Sequence, residues 1–228
     1  MTRRLALVVV VLWGCAHHAS PIRRAGYELV FVNDDPQLDP TVRARLIDAF
    51  FTVYPKEVAA YNPAALTRVT FHIDPSYDGV AATDAGVVRF NPAWFHKHPN
   101  DIDVVTHEVM HIVQAYPPDG GPGWVTEGIA DYVRYRFGVD NAGAGWSLPD
   151  VTPAHHYTTS YRVTARFLVW LEARHPGLVK ALDAAMRTST YSAELWARET
   201  GQTVDELWAA YVADPALTAA AAAPPSRP

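Results

Sequence analysis

The sequence carries a single cysteine, Cys15, among its 228 residues. A disulfide within the chain is therefore impossible, and the lone thiol calls for another role. No apolar run reaches the roughly 20 residues of a bilayer-spanning helix; Leu5 to Trp13 is well short of it. There is no block of Lys and Arg, and the formal net charge is -5. That argues against nucleic acid as a partner. No internal repeat and no linker to a second domain interrupt the chain. What is present suffices for one ordinary domain. Hydrophobic residues make up 49%, with 7 Trp, 11 Tyr and 8 Phe, enough to bury a core and too many for a disordered chain.

Residues 1–15 read as a targeting segment. Arg3 and Arg4 precede the short apolar run, which ends in Leu12-Trp13-Gly14-Cys15. These four residues resemble the lipobox of bacterial lipoproteins, with Trp13 an unusual occupant. The alternative is ordinary cleavage after Ala16, since Gly14-Cys15-Ala16 is also small-x-small. Lipidation of Cys15 is the favoured expectation, giving export, a lipid anchor in the cell envelope and, from Ala16, an outer-membrane destination. Residues 16–26 then form a tether, 27–214 the folded domain, and 215–228 an Ala- and Pro-rich tail.

Within the domain, Tyr27–Asn33 and Thr67–Asp74 read as strands, the second with Val69, Phe71 and Ile73 alternating with polar residues. Asp39-Pro40 caps a helix expected to run to Tyr54, where Pro55 interrupts it before a shorter helix to Tyr61. Val80–Phe90 is expected to be a hairpin turning at Thr83–Gly86, with Val87–Phe90 as an edge open to an extended peptide. From Asp101 the periodicity becomes helical. Asn100 or Asp101 should cap a helix to Tyr116, and further helices are expected over Trp124–Phe137, Tyr157–Arg174, Gly177–Arg187, Ala193–Glu199 and Val204–Val212. Strands first and helices later predict an α+β fold: a small N-terminal mixed or antiparallel sheet with helices, then a mainly helical C-terminal part.

The chemistry lies in the helical half. His107-Glu108-Val109-Met110-His111 is an HExxH sequence, and its flanks are apolar without Pro or Gly. Residues four apart share a helix face, so both imidazoles reach one metal ion. Glu108 beside them is aimed at a water rather than at the metal. A loop, Pro117 to Gly123, turns the chain into Trp124-Val125-Thr126-Glu127-Gly128-Ile129-Ala130-Asp131, which holds Glu-x-x-x-Asp on a second helix. Glu127 can complete a His₂Glu set, leaving one tetrahedral position open. Asp131, one turn on, can accept from the other nitrogen of His107; the plainer reading is a surface residue paired to Arg134. Zinc is the expected metal, one per chain, although the set also accepts cobalt or manganese.

HEVMHIVQAY, WVTEGIADYVRYRFG and SYRVTARFLVWLE together resemble the basic secretory protein family of plants and bacteria, over roughly Tyr27 to Asp214. The resemblance implies a zincin-like metallopeptidase of gluzincin type, with zinc at His107, His111 and Glu127 and Glu108 catalytic. Two features depart from it: the chain is acidic, and its leader is lipoprotein-like. A peptide or protein is the expected substrate and the monomer the expected state. An oxyanion stabiliser is needed besides the metal. Tyr161, which opens a helix within SYRVTARFL, is the candidate, with His155, His156 and Tyr157 as rivals and a core aromatic as the plain alternative. An aminopeptidase is less favoured, for want of an acidic amine-binding motif before His107. A zinc-containing surface lipoprotein that binds without hydrolysing is the second reading.

Other residues carry weaker signals. His72 reads as structural. His96 and His98 suit a solvated loop better than a second metal site. Trp170, Trp196 and Trp208 should pack the core, whereas Trp94 and Trp124 are near enough to the motif to line a pocket.

Overall fold

The structure, a computed structural model, describes residues 20–217. The leader with Cys15, the start of the expected tether and the end of the tail lie outside the described residues. Among those described, five strands form one mixed sheet and the helices gather on and beside it, an α+β architecture. None of these helices is long and apolar enough to cross a membrane.

Strands β1 (Ile22–Arg24), β2 (Tyr27–Asn33), β3 (Arg68–Ile73), β4 (Ala81–Asp84) and β5 (Val87–Phe90) lie in the order β1-β2-β3-β5-β4. β2, β3 and β5 are parallel; β1 and β4 run antiparallel at the two edges. The segment expected as a tether thus supplies an edge strand, because Ala25 and Gly26, both at positive φ, fold Ile22–Arg24 back onto β2. The period-two pattern sets the buried face. Leu29 pairs with Val69, Phe31 with Phe71, Phe71 in turn with Val88, and Ile73 with Phe90, and all are buried. Each such side chain stabilises the fold by about 1.5–3 kcal/mol.

Helix α1 (Pro40–Tyr61) connects β2 to β3 and lies on that face, its Phe50 ring 5.5 Å from Phe71. Asp39 caps it by accepting from the Thr41 N–H at 2.7 Å, and Pro40 occupies the first turn. The helix does not break at Pro55. A proline there removes one backbone bond and costs about 3 kcal/mol, but buried Val53, Tyr54 and Val58 hold both sides of it in the core.

The hairpin forms, with a tighter turn than expected: Ala85 and Gly86, at φ 46° and 80°, are its two central residues, so Thr83 belongs to β4. β5 is paired on both sides and cannot serve as an edge; the free edge is β4. A short helix absent from the sequence expectation, α2 (Pro92–Lys97), follows, capped by Asn91. The motif helix α3 (Val104–Gln114) starts after Asp103, later than expected, because residues 98–102 are taken up in turns. Ala115 closes it in the left-handed conformation.

Helix α4 (Gly123–Phe137) returns antiparallel to α3 and packs mainly on α5 (Tyr161–Glu172). The expected helix from Tyr157 is split. A 3₁₀ turn, Tyr157–Thr159, ends at Ser160 and Tyr161, both at positive φ (74° and 50°). Helices α6 (Leu178–Arg187), α7 (Glu194–Thr200) and α8 (Val204–Ala213) complete the domain, with Trp170, Trp196 and Trp208 buried between elements. Arg187 binds the ends of two helices together. It donates to the carbonyls of Val113 and Gln114 at the end of α3 and of Tyr61 at the end of α1, while buried Asp183 pairs with it.

Candidate metal centre

Helix α3 carries His107 and His111 on one face, and α4 brings Glu127 opposite them. The three inward atoms lie close together. His107 Nε2 is 3.2 Å from His111 Nε2 and 3.2 Å from Glu127 Oε2, and His111 Nε2 is 3.6 Å from Glu127 Oε2. Three donors each about 2.1 Å from a tetrahedral centre stand about 3.4 Å apart. The set therefore has the spacing of a metal site without any side chain moving. Among the described residues it is the single group of His, Cys, Asp and Glu with such a spacing.

Both imidazoles are turned inward by bonds at their far nitrogens. His107 Nδ1 lies 2.7 Å from Asp131 Oδ1, and Asp131 is 4% exposed, which excludes the surface pairing to Arg134. Arg134 pairs with Asp101 instead. His111 Nδ1 lies 2.7 Å from Gln114 Oε1, and Gln114 Nε2 donates to the Thr126 carbonyl at 2.9 Å. The carbonyl fixes the amide, the amide oxygen must then accept, and the proton of His111 sits on Nδ1. With the far nitrogens so engaged, each Nε2 is the atom that would offer its lone pair to a metal.

The electrostatics suit a cation. Burial opposes charge on His107, but hydrogen bonds to Asp131 and Glu127 outweigh it and push its pKa up to about 10. Without a metal, a proton there answers the surrounding carboxylates. Burial and the neighbouring His107 hold His111 below its ordinary value. Burial alone would raise Glu127, yet the hydrogen bond from His107 and the two imidazoles lower it, keeping it anionic.

Glu108 is buried beside the centre and faces the same cavity. The Thr83 hydroxyl, on edge strand β4, lies 2.7 Å from Glu108 Oε2 and 3.0 Å from the Glu108 carbonyl. The cavity, about 1080 Å³, is lined by all four motif residues, by Ala81, Ala82 and Thr83 of β4, and by Tyr161. Tyr161 is 54% exposed, and its ring stacks over His107 at 6.1 Å between centroids. The negative charge of Glu127, then partial burial, raises its pKa, so it remains an O–H donor at neutral pH.

Its rivals point elsewhere. Tyr157 donates to Asp205 at 2.6 Å, His156 packs on Tyr157 and Trp208, and His155 bonds locally to Thr152. Trp94 lines the cavity, whereas Trp124 stacks on Trp196 outside it. His72 pairs with Asp34, His96 with Asp35, and His98 lies against Trp94. Gln114 and Thr83 escaped the sequence reading. Gln114 was within reach, being one turn after His111 on the same helix. Thr83 was not, since it precedes Glu108 by 25 residues and contacts it through β4.

A family model, BSP, described as "Peptidase of plants and bacteria", matches residues 27–211. No curated protein matches the chain.

Proposed function

The chain belongs to this family of plant and bacterial peptidases, and from that premise we propose that it is a zinc-dependent endopeptidase of gluzincin type. The observation that carries the metal assignment is the 3.2–3.6 Å triangle of His107, His111 and Glu127 donor atoms. The ion, when bound, supplies Lewis acidity towards a peptide carbonyl and acidity to a water.

The protein's own groups do the rest. Glu108, beside the triangle and steadied by Thr83, takes a proton from the attacking water and returns it to the leaving amine. Tyr161 donates its hydroxyl hydrogen to the carbonyl oxygen as negative charge builds there. Positive φ at both Ser160 and Tyr161 supports a special role for this turn, since such backbone costs about 1–3 kcal/mol and persists where packing enforces it. Strand β4 is an edge along the cavity wall, its Ala81 carbonyl accepting from the Tyr77 hydroxyl at 3.0 Å, and in this reading an extended peptide adds to it by strand pairing. In the same reading the leader exports the protein and Cys15 carries a lipid anchor.

The test is zinc content together with cleavage of an unfolded protein, wild type beside Glu108→Gln. We expect one zinc per chain in both and cleavage in wild type alone. Unchanged cleavage in Glu108→Gln would remove Glu108 from the mechanism. Zinc without cleavage in either protein would favour a binding module.

A further inference from the structure

The cavity continues past Asp131 along α4, and its far wall is built differently from the metal end. Arg134, one helical turn beyond Asp131, is buried. Its guanidinium donates to Asp101 and, through Nε, to Asn141 Oδ1 at 3.0 Å. The second oxygen of Asp101 accepts from the Trp94 indole N–H at 2.9 Å. On the other side Trp146 covers the guanidinium, 4.5 Å from its ring centroid. Both indoles are partly exposed, and both line the cavity that holds His107 and Glu127.

The charged groups of this wall are committed to one another. Carboxylate and guanidinium neutralise each other, and the Trp94 N–H is used. A charged ligand finds no free counter-charge in Asp101 or Arg134, and would lose hydration on entering. What the wall still offers is the ring surface not already taken by Arg134 on Trp146 and by His98, 4.2 Å from the Trp94 ring, and it gains from covering by another apolar or aromatic group. The wall is also held in place before any ligand arrives. The Trp146 backbone N–H donates to the Asn141 carbonyl at 2.9 Å, the Asn141 side-chain amide donates to the Arg134 carbonyl at 2.8 Å, and buried Asp103 accepts from the backbone N–H groups of Val139 and Asp140 at 2.6 Å each. Ligand binding then orders little that is not already ordered.

We propose that Trp94 and Trp146, standing on the Asp101–Arg134 pair, form the specificity subsite of this cavity and take an aromatic side chain of a bound peptide. The inference rests on the peptidase reading for its substrate class and on the wall alone for its selectivity. The two are separable by experiment. Peptides blocked at both ends, so that Arg162 on the cavity rim meets no free carboxylate, differ at one position: Phe, Ala or Asp. Their cleavage is measured with the zinc-loaded wild type, and their binding with zinc-loaded Glu108→Gln.

Burial of the ring predicts cleavage and binding of the Phe peptide roughly tenfold or more better than of the Ala peptide, with Asp weakest. In Trp146→Ala the Phe-to-Ala ratio should collapse to about twofold or less, and in Trp146→Phe, which keeps a ring over Arg134, it should largely survive. Cleavage without aromatic preference, or a preference that outlasts both Trp146→Ala and Trp94→Ala, overturns the subsite and leaves the peptidase standing. Aromatic-selective binding with no cleavage by wild type supports the subsite and overturns the peptidase. Failure to bind either peptide overturns both.

Discussion

The two histidines of the centre are held by unlike partners, a carboxylate at His107 and an amide at His111. The carboxylate does more, because it both fixes the tautomer and adds charge next to a cation. Asp131→Asn keeps the shape and removes the charge, and it is expected to weaken zinc binding by about 10–100-fold. Competition against a chromogenic chelator measures this, and an unchanged affinity would reduce Asp131 to packing. Thr83 makes a different claim on the site. Its single hydroxyl proton steadies the oxygen of the proposed base, so Thr83→Val, which keeps the volume, should lower kcat about tenfold with KM little changed. Thr83→Ser should restore most of the loss. A rise in KM alone would instead mean that Thr83 matters to the strand on which substrate lies. The sequence disclosed His107, Glu108, His111, Glu127 and Asp131 because helical spacing is local arithmetic. Thr83 was hidden because its partner is met only through sheet geometry.

At the scale of elements the same division holds. Alternation in β3 and periodicity in α3 and α4 are properties of short windows, and those elements stand where the sequence put them, with ends shifted by a few residues. Strand order is not local, and so β5 was mistaken for the edge that β4 occupies. Pro55 and the Ser160 break failed in opposite directions. Core packing overrode a helix breaker in the first, and two positive-φ residues stopped an otherwise helical pattern in the second. The contact that sets the position of α4 is also a matter of packing. A Cβ on Gly128 would lie 2.3 Å from Thr164 Cγ2, and Thr164 is buried and tied by its hydroxyl to the Tyr157 carbonyl. Gly128→Ala therefore forces α4 and α5 apart next to Glu127, despite the roughly 1 kcal/mol that Ala gains over Gly in a helix. We expect a net loss of about 1–2 kcal/mol in urea denaturation and weaker zinc binding. Adding Thr164→Ser removes the methyl at 2.3 Å and keeps the hydroxyl but leaves Cβ at 2.8 Å, so the double variant should recover part of both losses. Additive losses would show that the two helices are not held at this contact.

The whole molecule turns on α1, which covers the sheet on one side and meets α3, α4 and α6 on the other. Towards its C-terminal end sits Glu57, fully buried, with neither carboxyl oxygen hydrogen-bonded. Burial raises its pKa well above 4.5, only partly opposed by the charge on His107. The sign of the consequence follows from which state holds the proton. Below pH 4.5 Glu57 is protonated in folded and unfolded chains alike, and its contribution to stability is whole. As pH rises above that value the unfolded chain releases the proton while the folded chain retains it. Stability then falls, by at most about 1.4 kcal/mol per pH unit, until the folded-state pKa is passed. Glu57→Gln has nearly the same shape and no proton to release. Its urea midpoint should thus gain on wild type as pH is raised from 5 to 8, each protein being measured at the same zinc concentration. Titrating groups that do not interact with Glu57 are common to both proteins and cancel in the difference, whereas the charge of His107 acts on Glu57 and is part of what the difference reports. A gap that stays constant over that range would mean that Glu57 ionises freely in the folded protein, and that the core around α1 is wetter than its packing implies.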